Sequence, residues 1–240
     1  MASANSTAIA NHIRRMLRDG GSAEHGAGVQ WFFKDAVQSR GWYTGDLRKL
    51  AARLRRDLIP GDTALLVNVA DRLFQGPILE ERALAVLLLE KSVGKFGERE
   101  FRRFASWLDR LRSWADHDAL LHYLIGPMLA SDPKRARYPF CWAKSRDRWH
   151  RRAAAVAFIR GARRKMFFAE ISRMAGLLLD DEDDMVQKGL GWLLRETAKA
   201  DPQRTIPLLM KIRARAPRLV LRTACETLPA AKRANILKNW

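Results

Sequence analysis

Val186-Gln187-Lys188-Gly189-Leu190-Gly191-Trp192-Leu193-Leu194-Arg195-Glu196-Thr197 is the stretch from which the fold is read. Val186, Leu190, Leu193, Leu194 and Thr197 recur every three or four residues, which describes one buried face of an α-helix. A strand would alternate, and this stretch does not. Gly189-Leu190-Gly191 has neither a strand before it nor a phosphate-loop pattern, so it is no nucleotide site. Two glycines on a helix instead permit close approach of a neighbouring helix or backbone. The acidic run before the helix, Asp180-Asp181-Glu182-Asp183-Asp184, complements the positive end of its dipole and reads as a cap, not a metal cluster.

The same spacing continues outward in both directions. Leu47, Leu50, Leu54 and Leu58 show it, as do Phe101, Phe104, Trp107, Leu108 and Leu111, and Trp149, Ala153, Val156, Ala157 and Arg160. Asp19-Gly20-Gly21, Pro60-Gly61-Asp62, Gly76-Pro77, Asp132-Pro133, Asp201-Pro202 and Pro217 punctuate the chain and predict about a dozen helices of roughly 10–18 residues. Helix pairs of about 40 residues are the period of HEAT-like arrays, and about six fit this length. Trp114, Arg152 and Trp192 lie 38 and 40 residues apart, which would set all three on one face of such an array. The expected fold is all-α: a right-handed α-solenoid of about six HEAT-like antiparallel helix pairs with a concave basic face. No low-complexity linker interrupts it, so residues 1–240 are expected to form a single domain.

Composition narrows the partner. The 240 residues carry 44 Lys and Arg against 26 Asp and Glu, a net charge of +18, with 48% hydrophobic residues, 8 Trp and 10 Phe. That much apolar content builds a core and excludes a basic disordered tail. Most of the excess lies in residues 121–240, which hold 25 basic and 11 acidic side chains. Lys134–Lys165 alone contains 12 Lys and Arg and one acid, Asp147. Like charges so dense repel unless counter-charge arrives, which points to a polyanion, nucleic acid first. Two isolated cysteines, Cys141 and Cys225, exclude a disulfide scaffold, and the five histidines show no zinc-ligand spacing. No signal-peptide core and no run of membrane-spanning length is present. A cytoplasmic monomer with no membrane partner is expected.

Three segments carry the chemistry. Ser113-Trp114-Ala115-Asp116-His117-Asp118 sets Trp114 and Asp118 at i and i+4, adjacent on one helix face. Trp149-His150-Arg151-Arg152-Ala153-Ala154 opens a second helix, and Lys188 to Glu196 form the third. Together they resemble the AlkD-like DNA alkylation repair family, DNA glycosylases built from HEAT-like repeats. The family's Trp-x-x-x-Asp, Trp-x-x-Arg-Ala-Ala and Lys-x-x-Gly-Trp-x-Leu-Arg-Glu patterns occur here in order. A weaker match lies upstream, where Phe33-Lys34 is followed by Gly41, Thr44 and Arg48. The matches span roughly residues 29–200. The resemblance implies Asp118 as the catalytic carboxylate, Trp114 and Trp192 as walls of the site, and Arg152 on backbone phosphate. One departure concerns the residue after the first Trp, often Asp in the family and Ala115 here. His117 has no assigned part.

The chemistry is coherent without the family. An N3- or N7-alkylated purine is already a cationic leaving group, so no acid is needed to protonate it. What remains is to stabilise an oxocarbenium-like sugar and position water, which one carboxylate does. Trp faces attract cations, and Arg binds phosphate bidentately. No cofactor is required. Arg148 and Arg151 in the basic run, and Lys188 and Arg195 beside Trp192, are further candidates for DNA phosphate. Arg213, Arg215, Arg218 and Arg222 could extend that face. The expected partner is double-stranded DNA containing alkylated purines. Two alternatives stay open: the same chemistry on bulky N3-adenine or N7-guanine adducts of DNA-alkylating natural products, and a non-catalytic HEAT-like DNA-binding protein.

Overall fold

Helical periodicity is realised in helices that run through both halves of the described residues. The computed structural model describes residues 2–238, and every regular element among them is helical. One isolated bridge, Gln38 with Ile78, is the only β pairing among the described residues. The protein is all-α. Its chain divides into two compact units, Met1–Leu124 and Ile125–Trp240.

The first unit contains α1 (Ala2–Asp19), α2 (Ala23–Val29), α3 (Thr44–Asp57), α4 (Thr63–Phe74), α5 (Leu79–Leu89), α6 (Glu98–Ala105) and α7 (Trp114–Leu120). Helix α5 is its centre. Leu84 to Leu89 are buried on every side, as expected of a helix apolar all round. Helices α3, α4 and α7 pack against it, and α1 lies on α4. One acid at its start organises an irregular stretch. Glu80 is buried and accepts hydrogen bonds from the Ser39 hydroxyl at 2.6 Å and the backbone N–H of Arg40, Gly41 and Trp42 at 2.9, 2.9 and 3.3 Å. Gly41 sits at φ +74°, where an added Cβ would fall 1.9 Å from the Ser22 carbonyl oxygen, so only glycine fits.

The second unit contains α8 (Gly126–Ser131), α9 (Arg137–Trp142), α10 (Arg148–Val156), α11 (Ile159–Ala162), α12 (Phe168–Leu178), α13 (Asp184–Ala200), α14 (Pro202–Ile212), α15 (Arg218–Ala224) and α16 (Ala230–Leu237). Its centre is α13, the helix of the opening stretch, which packs against α10, α11, α12, α14 and α15. The two glycines do what their position on a helix predicts. A Cβ on Gly189 would meet Arg152 Cγ at 3.0 Å, and one on Gly191 would meet Thr223 Cβ at 2.7 Å and the Val220 carbonyl at 3.2 Å. Helices α10 and α15 therefore approach α13 at glycine distance. Gly191→Ala forces α15 away and is expected to cost about 1–3 kcal/mol, although alanine favours a helix, because overpacking outweighs propensity. A lowered urea midpoint with unchanged slope is the expected reading.

Helix lengths differ from the periodic reading. Helices α2, α6 to α11, α15 and α16 are shorter than ten residues. The apolar run Phe101 to Leu108 crosses from α6 into a 3₁₀ segment, Ser106–Arg110, which serves i, i+3 spacing as well as an α-helix does. A π-turn, Leu121–Ile125, follows α7. The Trp149–Arg160 pattern breaks after Val156, so Arg160 belongs to α11 and is exposed. No helix among the described residues is long and apolar enough to cross a membrane.

Candidate functional site

Helix α7 presents Trp114 and Asp118, and its start is fixed by buried polar contacts. Ser113 is the N-cap of a capping box: its backbone N–H donates to Asp116 Oδ1 at 2.8 Å, and its hydroxyl takes the Asp116 N–H at 3.4 Å. Asp116 also accepts from the Ser113 hydroxyl and from the Arg112 backbone N–H at 3.1 Å. Arg82 on α5 reaches its other oxygen at 2.6 Å, and both side chains are buried. Arg82 Nε donates to the Gly76 carbonyl at 2.8 Å. A buried pair whose members make these further hydrogen bonds is costly to break, and it anchors the start of α7.

Trp114 opens α7 and is 37% exposed. Its indole stacks on Phe33 with centroids 5.0 Å apart and 18° between planes, and its Nε1 donates to the Phe32 carbonyl at 3.4 Å. Asp118 lies one turn on, with a side chain 24% exposed. Its Oδ1 is 2.7 Å from Nδ1 of His117, which is completely buried. The i, i+4 arrangement of Trp and carboxylate is as expected. The histidine contact is not something spacing foretold.

A loop rich in exposed rings adjoins Trp114. Trp31 is 91% and Phe32 74% exposed. Gln30 ties the loop by donating to the Phe33 and Asp35 carbonyls at 3.2 and 3.1 Å and accepting from the Val37 N–H at 3.0 Å. A cavity of about 430 Å³ opens between this loop and helices α3, α5 and α7, walled by Phe32, Tyr43, Arg48, Ala115, Ala119 and Tyr123 among others. Arg48 donates to the Tyr123 hydroxyl at 2.8 Å and to Glu90 at 3.2 Å. Burial works against its charge, but Tyr123 and Glu90 outweigh it and hold its pKa above the ordinary arginine value. Ala115 and Ala119 are small side chains on the helix that also carries Trp114 and Asp118.

The second unit carries the remaining candidates. Arg152 on α10 is buried, its stem lies against Gly189, and its Nη1 donates to the Met185 carbonyl at 2.7 Å. It is not the solvated arginine of an exposed face. Trp192 on α13 is half-buried. Arg151 grips Asp181 through Nε at 2.6 Å and Nη2 at 3.4 Å and also donates to the Ser145 and Arg146 carbonyls. The bond to Asp181 outweighs burial and raises its pKa. Arg195 pairs with Glu226 and with Glu196. Arg148 stands 4.9 Å over the Trp149 ring and 3.9 Å from Asp183, and Lys188 is 2.9 Å from Asp184, one turn back.

The acidic run thus has more to do than cap a helix. Asp183 Oδ1 does cap α13, accepting from the Met185 and Val186 N–H groups at 2.8 and 3.3 Å. Its neighbours supply counter-charge: Asp181 to Arg151, Asp184 to Lys188, and Asp180 to Arg215 at 2.6 Å. Among the described residues no cluster of three or more His, Cys, Asp or Glu could hold a metal ion.

The family model described as DNA alkylation repair enzyme matches residues 13–228. A solved structure described as a predicted DNA alkylation repair enzyme from Enterococcus faecalis superposes with a TM-score of 0.78 at 19% sequence identity, covering 88% of this chain and 97% of that one. No curated protein sequence matches.

Proposed function

Because this chain belongs to the DNA alkylation repair enzyme family, we propose that it is a monofunctional DNA glycosylase acting on cationic N3- or N7-alkylated purines in duplex DNA. The observation that carries this reading is Asp118: a partly exposed carboxylate one helical turn from the exposed Trp114 ring. The alkylated base leaves with the electron pair of its glycosidic bond and so becomes neutral. Asp118 stabilises the positive charge that develops on the sugar, water adds at the anomeric carbon and releases one proton to solvent, and an abasic site remains. The face of Trp114 attracts the cationic base or sugar, worth about 0.5–2 kcal/mol. Trp192 is assigned to substrate contact, and Arg152, Arg148 and Lys188 to backbone phosphate.

The deciding experiment incubates the protein with duplex DNA carrying 7-methylguanine or 3-methyladenine and measures released base by chromatography. Release no faster than the spontaneous rate rejects this substrate class. DNA binding without release of any lesion supports the non-catalytic alternative, against which Asp118 counts. Charge removal separates binding from chemistry. Arg148→Ala with Lys188→Ala is expected to flatten the salt dependence of DNA binding, by about 0.9 in log–log slope for each phosphate that is no longer neutralised. Arg151→Ala removes the partner of Asp181 and should lower stability instead.

A second reading keeps the chemistry and enlarges the lesion. The cavity beside α7, walled by Ala115 and Ala119, favours bulky N3-adenine or N7-guanine adducts, since a planar apolar body attached to the base would find aromatic surface there. Faster release of a bulky N3-adenine adduct than of 3-methyladenine, relative to spontaneous rates, supports this reading. Equal or slower release removes it.

A further inference from the structure

Successive residues of an α-helix project about 100° apart and do not ordinarily face one another. His117 and Asp118 are successive residues of α7, yet His117 Nδ1 and Asp118 Oδ1 lie 2.7 Å apart. The carboxylate therefore leans around the helix toward the side on which His117 is buried. The two ends of this contact have opposite surroundings: the imidazole has no exposed surface, whereas Asp118 keeps about a quarter of its side chain in solvent. A ring packed on all sides has one orientation, so its nitrogen is a fixed point. The carboxylate, carried on rotatable side-chain torsions, is tied to that point through one oxygen.

We propose that His117 is a positioning residue, whose Nδ1–H donates to Asp118 Oδ1 and fixes the orientation in which the carboxylate meets the substrate. The proposal rests on Asp118 acting in glycosidic-bond cleavage. It requires His117 to carry its proton on Nδ1, because a ring protonated only on Nε2 has nothing to give at that contact. His117 itself touches neither substrate nor reacting atoms, being wholly buried.

The side chains that imitate one nitrogen but not the other supply the test. Asparagine places an amide N–H near the position of Nδ1, glutamine places one near Nε2, and leucine places none. Single-turnover release of 7-methylguanine is expected to fall about ten- to a hundredfold in His117→Leu, with duplex affinity unchanged within about twofold, as for other misplaced catalytic groups. His117→Asn is expected to recover most of the rate and His117→Gln to recover little. A folded His117→Leu as fast as wild type overturns the proposal, and so does a folded His117→Asn as slow as the leucine variant. A readout independent of activity is the ¹⁵N spectrum of the His117 ring in the unaltered protein. A protonated Nδ1 is expected, and a ring protonated only on Nε2 overturns the proposal even if no variant folds. A wild-type protein that releases no base removes the glycosylase reading, while the ring spectrum still decides whether His117 donates to Asp118.

Discussion

Replacing Asp118 with asparagine is expected to slow single-turnover release of 7-methylguanine by about a hundredfold to a thousandfold, the usual loss when a group aimed at developing charge is removed. Asparagine has the shape of aspartate, and its amide oxygen can still accept from His117, so the substitution removes charge and little else. Binding should not weaken, because loss of a negative charge beside a polyanion favours association if it does anything. The expected signature is therefore a fall in the rate of base release with duplex affinity equal to or tighter than wild type. An alkylated purine departs without an acid, so no other group on α7 can substitute for the lost anion by donating a proton. Asp118→Asn releasing base at the wild-type rate places the catalytic carboxylate elsewhere.

The largest loss of stability is expected from Arg82→Met. Asp116 would remain buried with its charge uncompensated, and the Gly76 carbonyl would lose its donor. Breaking one side of such a pair costs about 3–5 kcal/mol, a large share of a domain's stability of about 5–15 kcal/mol. Methionine fills much of the arginine stem's volume, so the loss reports the charge and hydrogen bonds and not a cavity. The double variant Arg82→Met with Asp116→Asn is expected to regain much of that loss, since an amide still accepts from Ser113 without leaving a buried charge. Urea midpoints of the three proteins measure both effects. If the double variant is no more stable than Arg82→Met, the uncompensated charge is not the cause of the loss.

What was legible in the sequence follows from the range over which each signal acts. The existence of helices was readable because apolar spacing is local, and Gly189 and Gly191 announced close packing because a helix otherwise avoids glycine. Helix ends were less readable, since 3₁₀ segments carry the same three-residue spacing through residues 106–110. The pairing of Trp114 with Asp118 is a property of one helical turn and was visible. The His117 contact breaks the rule for adjacent residues, so no spacing argument reveals it. Arg151 and Asp181 are 30 residues apart and Arg82 and Asp116 are 34 apart, and nothing local matches such partners. This is why a run of twelve basic residues reads as bare positive charge when several of its members already hold acids. Arg152 shows the same limit, because its burial depends on the absence of a side chain at Gly189 on another helix.

Glu80 concentrates the ordering of residues 39–42 in one side chain. The groups it holds on Arg40, Gly41 and Trp42 are main-chain amides, which every residue but proline supplies. Arg40 can therefore drift almost freely as far as this bond is concerned, while the acid that orders its backbone, 40 positions away, cannot. Gly41 is held for a separate reason, its left-handed φ. Relatives are expected to differ at position 40 far more than at position 80. A mutation at Glu80 can therefore disorder residues 39–42 without altering any residue of that stretch.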